Sequence, residues 1–252
     1  MIRKWFGITA RRGEFFDGHG HCAVCAAPAH FVARDSWLRD NLRCQSCGSI
    51  PRERALMTVL EQRYPDWRAL AMHESSPGLP SSKKLERECK AYLSTHFFPD
   101  IAPGEFKFGV RCENLESQTF PDESFDLVVT QDVMEHVLDP EAAFRDIART
   151  LRSGGAHVFT TPVYKGLARS IVYARRGGAG IEYLVQPPEY HGNPIDEKGA
   201  LVTMHYGADI GELIFRWSGL ATTVYVIRDP ALGLAGEFLE VMVTVKPART
   251  AA

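Results

Sequence analysis

Phe125-Asp-Leu-Val-Val-Thr130, then Asp139-Pro140-Glu141, then Ala156-His-Val-Phe-Thr-Thr161 is the stretch that decides the fold. Apart from Asp126, the first six residues are apolar or β-branched with no helical spacing, which is the pattern of a strand buried on both faces. Asp139 and Pro140 are an N-cap and a first-turn proline, and Glu141 puts an acidic group in the first turn. Phe144, Ile147, Ala148 and Leu151 then recur at helical spacing. The sequence predicts that Gly154-Gly155 ends that helix and that Ala156–Thr161 is the next strand. Strand, helix and strand over about 35 residues is a parallel crossover unit.

The same alternation runs outward. Upstream, Ala69–His73 and Ala91–His96 read as strands around a Lys/Glu-rich helix at Ser81–Lys90, and Phe108–Cys112 as a further strand. Ser49-Ile50-Pro51-Arg52-Glu53-Arg54 opens a helix with an apolar stripe of Ala55, Leu56, Val59 and Leu60, stopped by Pro65. Downstream, Asp209–Trp217 reads as a helix closed by Gly219. Thr222–Arg228 and Phe238–Val245 follow as two strands with no helix between them. This predicts an α/β chain: a doubly wound, mostly parallel seven-stranded sheet with an antiparallel last strand.

Ahead of it stand Cys22-Ala-Val-Cys25 and Cys44-Gln-Ser-Cys47. Two CxxC pairs at this separation have the spacing of a four-thiolate zinc site, Cys22, Cys25, Cys44 and Cys47. Two disulfides or four core thiols are the alternative. Phe31–Arg34 reads as one strand of a small ribbon. His19, His21 and His30 lie nearby but are surplus to a complete shell. Four thiolates leave zinc no open position, so its expected role is structural. Chelation should then unfold residues 21–50 and loosen the helix at Arg52–Tyr64. The expected domains are 1–50, a loosely ordered N-terminal segment with the four-cysteine zinc ribbon, 51–66, a linking helix, and 67–248, the α/β domain.

The 252 residues are 45% hydrophobic and 24% charged, values of a globular protein rather than a disordered one. A net charge of −2 supplies no global basic field for nucleic acid. No leader pattern and no long apolar run is visible, and thiolates kept for metal fit a reducing cytoplasm. Cys89 and Cys112 read as buried free thiols.

Two stretches, 120–137 and 142–162, in this order and spacing, resemble the class I S-adenosylmethionine-dependent methyltransferases, of the type 11 kind. The resemblance runs over residues 69 to 162. It implies S-adenosylmethionine as cofactor and methyl transfer as activity. It also implies that the cofactor sits beyond the carboxyl ends of the strands, as ligands do in open parallel sheets.

Residue by residue, the family's acidic-x-Gly-x-Gly-x-Gly loop becomes Glu74-Ser75-Ser76-Pro77-Gly78-Leu79-Pro80, with one glycine left. Glu74, Ser75, Ser76 and Gly78 are the expected cofactor residues there. The family's ribose-binding carboxylate aligns with His96, which can hydrogen-bond a hydroxyl or merely cap its strand. Glu113-Asn114-Leu115 resembles the adenine-site pattern, and Gln131 and Asp132 follow the fourth strand. A helix N-terminus is expected for the cofactor's carboxylate. His136 at the crevice mouth is a candidate base, or a packing residue. The insert at about 163–207 is the expected acceptor-binding element, with Tyr190 and His191 as candidate catalytic residues beside His205 and Tyr206. Arg175–Gly180 has the composition of a lid.

The leading expectation is methyl transfer to a small-molecule or sugar-type acceptor. One rival is an RNA methyltransferase, since some guanine-modifying rRNA enzymes carry an N-terminal zinc module. Another is an inactive methyltransferase-fold scaffold with a zinc docking module.

Overall fold

The computed structural model describes residues 15–178, 180–192 and 198–249. The expectation for the N-terminal segment falls partly on residues 1–14, outside these. The ribbon comprises β1 (Phe16–Cys22), β2 (Ala27–Ala33), a short helix α1 (Leu38–Asn41) and β3 (Arg43–Cys44). Gly18 and Gly20, expected to be loose, lie inside β1, and the strand foreseen at Phe31–Arg34 starts earlier, at Ala27. Helix α2 (Pro51–Arg63) follows.

The main sheet takes β4 (Ala71–Ser75), β5 (Ala91–His96), β6 (Phe106–Lys107), β7 (Val110–Cys112), β8 (Phe125–Gln131) and β9 (Leu151–Thr160). Helices α3 (Pro80–Glu88) and α4 (Pro140–Thr150) connect them. Among the described residues, six short strands build the insert: β10 (Ile171–Val172), β11 (Ala174–Gly177), β12 (Gly180–Tyr183), β13 (Tyr190–His191), β14 (Ala200–Leu201) and β15 (Met204–His205). Helix α5 (Ile210–Ser218) leads to β16 (Ala221–Val226) and β17 (Glu240–Val245).

The sheet order is β16-β17-β9-β8-β4-β5-β7-β6. Strands β9, β8, β4, β5 and β7 run parallel, and β17 is antiparallel between β9 and β16. Eight strands rather than seven are present, because Phe106–Lys107 folds back on β7. Phe108 and Gly109, read as part of a strand, instead make that turn at φ +53° and +79°.

Another expectation is displaced. Helix α4 ends at Thr150, and Gly154-Gly155 lies within β9. A Cβ at Gly155 would sit 2.8 Å from the Asp126 carbonyl oxygen. The glycine therefore permits a close strand approach where the register between β8 and β9 shifts. Asp139 caps α4 as expected, its side chain accepting from the Ala142 N–H at 2.9 Å.

Alternation along the strands divides the core in two. Met72, Leu127, Val129, Val158, Val241 and Val243 face α2 and the ribbon. Val128, Phe159 and Met242 face α4 and α5, meeting Phe144, Ile147 and Ile214. The ribbon is not a separate body: Phe16, Phe31 and Leu42 belong to the same cluster as Leu56, Leu60 and Val129.

Arg54 fastens this junction. It is fully buried, stacked 4.7 Å over Phe31, and donates to the carbonyls of Leu42 (2.9 Å), Gly233 (2.8 Å) and Ser49. Arg54→Met should cost about 3 kcal/mol or more, since it takes the donor from the buried Leu42 and Gly233 carbonyls, while the Ser49 carbonyl still accepts from the Cys44 N–H at 2.9 Å. Urea unfolding measures the loss; an unchanged midpoint would contradict this role.

Candidate functional site

The crevice lies where the strands end. Its lining includes Ser75–Leu79 after β4, His96–Asp100 after β5, Glu113–Glu116 after β7 and Gln131–Val133 with Glu135–Leu138 after β8. It encloses about 1780 Å³. A pocket for one drug-sized ligand spans roughly 300–1,000 Å³, so the crevice has room for more than one such ligand.

Of the residues expected at the cofactor, Ser75, Ser76, Gly78, His96, Glu113, Asn114, Leu115, Gln131 and Asp132 all line this space. Ser76 takes φ +58°, the left-handed backbone a glycine would adopt there, and its N–H donates to the Thr95 carbonyl at 2.7 Å. Glu74 does not line the crevice. It is buried beneath the floor, accepting from Ser82 (2.7 Å), Gln131 (2.9 Å) and Tyr92 (2.7 Å). Burial pushes its proton affinity up against those hydrogen bonds. Glu113 accepts from Arg111 and from the Thr119 N–H, both at 2.9 Å. The helix N-terminus expected to take an anion is partly committed, because the Ser81 N–H donates to Glu53 at 2.8 Å.

Asp132 is held from the ribbon side. Arg39 of α1 hydrogen-bonds its carboxylate, and Arg52 of α2 ion-pairs with it at 3.0 Å. Burial alone would raise its pKa, but the two guanidinium groups hold it below the ordinary carboxylate range. Trp37, Arg39, Asp40 and Arg52 all line the crevice. Sequence reasoning missed these four, and nothing local in the chain marks them. It also missed Tyr164 and Phe238, which line the same end with their rings 5.1 Å apart.

Glu135 is 2% exposed and lines the crevice. One oxygen accepts from Thr161 at 2.9 Å and the other, 3.9 Å from His136 Nε2, has no hydrogen-bond partner among the described residues. Burial, aided by the Asp132 charge, pushes its pKa up to about 8. A folded-state pKa above the unfolded value means that stability is lost as pH rises from about 4.5 through about 8. Glu135→Gln should remove that loss. The gap between variant and wild-type stability should then open by up to roughly 1.4 kcal/mol per pH unit in this window. Urea midpoints at about pH 5 and pH 8, the two ends of that window, check it; parallel profiles would contradict it.

His136 also lines the crevice. Its Nδ1 lies 2.9 Å from the Leu201 carbonyl, which can only accept, so Nδ1 carries the proton. Nε2 is left with its lone pair, 3.9 Å from a Glu135 carboxylate oxygen, and burial lowers the ring's pKa, favouring the neutral form. The His191 ring stands at 90° to it, 5.2 Å away. Among the residues expected for acceptor binding, His191 reaches the crevice and the other three do not. Tyr190 is 47% exposed and points elsewhere. His205 is sandwiched behind the wall between Tyr164 and Tyr173, and Tyr206 is fully buried, donating to the Met134 carbonyl. Residues 193–197 of the insert lie outside the described residues. Of the expected lid at 175–180, residue 179 lies outside the described residues and the rest falls on strands β11 and β12 and Gly178; Arg176, Gly177, Gly180 and Ile181 reach the crevice.

At the ribbon tip, Cys22 and Cys47 Sγ lie 3.9 Å apart and Cys25 and Cys44 Sγ 3.7 Å apart. The edge of a tetrahedron with metal–sulfur bonds of about 2.3 Å is roughly 3.8 Å. The two knuckles match: Ala26 (φ +55°) and Gly48 (φ +77°) donate to the Cys22 and Cys44 carbonyls, each at 2.8 Å. Donor set and geometry are compatible with a zinc site. All six cysteines are free thiols. His19 and His30 stack on the other face of the hairpin, and His30 pairs with Asp17 at 2.6 Å, so neither joins the sulfurs.

Comparison with known proteins bears on the fold. A family described as a methyltransferase domain matches residues 81–159. A polyketide synthase-nonribosomal peptide synthetase of Aspergillus clavatus is 26% identical over 117 residues, 40% of this chain and 3% of that protein. A chain from the complex of the Haloferax volcanii Trm112 methyltransferase activator with a methyltransferase superposes with TM-score 0.51. It is 14% identical, and the match covers 80% of this chain and 92% of its own. An S-adenosylmethionine dependent methyltransferase from Mesorhizobium loti gives 0.48 at 18% identity, over 76% and 97%. CalS10, an amino pentose methyltransferase from Micromonospora echinaspora, gives 0.49 at 13%, over 79% and 92%. The family match spans α3 to β9, the helix–strand stretch at the middle of the sheet, and the Haloferax volcanii superposition agrees with the fold described above.

Proposed function

We propose that this chain transfers a methyl group from S-adenosylmethionine to a small-molecule acceptor. The observation that carries this reading is the crevice at the carboxyl ends of the parallel strands. It is large enough for two ligands, and a tautomer-fixed neutral histidine stands in its wall. The cofactor, when bound, supplies an already activated methyl group, so alignment and exclusion of water matter most. The loop 75–79, His96, Glu113–Leu115 and Gln131 would hold it. The 163–207 insert and residues 37–52 close the acceptor end. His136 takes the acceptor's proton at Nε2, while the Leu201 carbonyl keeps the ring oriented. His191 lines the same wall as an acceptor contact.

The four cysteines hold a structural zinc, which suits a reducing compartment such as the cytoplasm. The division into ribbon (to 50), linking helix (51–66) and methyltransferase domain (67–248) belongs to this reading. Among the described residues no helix is long and apolar enough to cross a membrane. Cations at the crevice are matched by carboxylates: Lys107 by Asp100, Arg176 by Glu116, and Arg39 and Arg52 by Asp132. That pairing favours a small acceptor over RNA.

The test is S-adenosylhomocysteine formation from S-adenosylmethionine with fractionated small metabolites and, separately, with RNA. Product with metabolites supports the reading. Product with RNA alone replaces it with the RNA reading, and none with either leaves the scaffold.

A further inference from the structure

Glu53 does more than cap its own helix. One carboxylate oxygen accepts from the Ile50 N–H at 3.0 Å, the ordinary reach of a capping-box glutamate. The other accepts from the Ser81 N–H at 2.8 Å, across 28 residues, in the first turn of α3. Helix capping does not require that second bond. The side chain is 1% exposed, so both bonds are shielded from water.

What Ser81 does next ties it to the crevice. Its hydroxyl donates to Gln131 at 2.9 Å, and the Gln131 amide donates to Glu74 at 2.9 Å. Ser82, the next residue, donates to the same Glu74 oxygen at 2.7 Å. This network underlies Ser75–Leu79, the loop with only one glycine and with Ser76 in a left-handed conformation. Such a loop needs its surroundings to hold it. On the other side, Glu53 starts from the ribbon's exit. The Ser49 hydroxyl lies 3.2 Å from Cys47 Sγ and 3.5 Å from Cys22 Sγ, and Ile50 is the next residue.

We propose that Glu53 is a positioning residue of the cofactor site, pinning α3 and the 75–79 loop to the exit of the cysteine cluster so that the loop keeps its binding shape. This rests on the methyltransferase reading above. It gives the ribbon a task in cofactor binding, through α2, rather than a docking role alone.

The test is calorimetric titration of the full, zinc-loaded chain with S-adenosylhomocysteine, in wild type, Glu53→Ala, Glu53→Gln and Val59→Ala. Val59 is buried on the same helix, has no part in the Glu53–Ser81 hydrogen bond, and serves as the control for lost stability. Glu53→Ala is expected to weaken binding about tenfold or more, as the loss of a buried acceptor of two backbone N–H bonds would. Glu53→Gln, which keeps one acceptor oxygen, should fall between. Val59→Ala should lower Tm with affinity unchanged. Equal affinity for Glu53→Ala and wild type would overturn the proposal. So would Val59→Ala weakening binding as much as Glu53→Ala. If Glu53→Ala does not fold, Glu53→Gln decides between a severalfold weakening and none. A wild-type protein that does not bind would overturn the methyltransferase reading itself, and the proposal with it.

Discussion

Stripping the proposed zinc from the four cysteines is expected to unfold the main sheet along with the ribbon. The sequence suggests a loss confined to residues 21–50 and the following helix. The structure argues for more, because Cys22 and Cys44 are buried in the cluster that contains Leu56, Met72, Val129 and Val241. The hairpin also packs tightly on the C-terminal loop: a Cβ at Gly20 would fall 1.7 Å from the Ala231 carbonyl oxygen. Arg54 adds an electrostatic reason. Its side-chain hydrogen bonds go to Ser49 and to backbone carbonyls. Burial works against its charged form, and the nearby thiolates favour it. Without the bound, negatively charged cluster, Arg54 is a buried cation short of a counter-charge, which is costly. Structural zinc contributes about 10–16 kcal/mol in small modules, against about 5–15 kcal/mol for a whole domain. Hydrogen exchange after chelation, or in Cys44→Ser, should show amides at 127–131, 156–160 and 241–245 losing protection together with 16–50. Loss restricted to 16–50 would contradict a shared core.

His136→Gln should lower turnover about 10²–10⁴-fold, the usual contribution of a positioned base. Its affinity for S-adenosylhomocysteine should stay near wild type. The split follows from geometry, since the ring's proton is fixed on Nδ1 by Leu201, which leaves the Nε2 lone pair, 3.9 Å from Glu135, on a residue that lines the crevice. Because burial lowers its pKa, wild-type turnover should hold up on acidification to below the usual imidazole range. His191→Gln should cost less, as His191 Nε2 is already engaged by Glu189 at 3.2 Å. Single-turnover rates with an identified acceptor check both variants. An unchanged rate for His136→Gln would remove it from the mechanism.

The strands that carry the fold were legible because period and punctuation are local. Ala91–His96 and the capped helix at Asp139 appear where the residues place them. Much of the crevice was legible for the same reason, since strand ends such as His96, Glu113 and Gln131 point to it. What was not legible depends on contacts across the chain. Nothing near Arg39 or Arg52 says that both will meet Asp132, which lies 93 residues beyond Arg39. Nor does Glu74 announce that three side chains will draw it beneath the floor. Tyr190 misled for a related reason: an aromatic residue in a loop looks alike whether it faces a crevice or solvent.

The most direct test of a methyltransferase crevice is calorimetry of the zinc-loaded wild-type protein with S-adenosylhomocysteine. The account predicts micromolar, one-to-one binding and a raised Tm. No heat at two temperatures and no shift in Tm would contradict it.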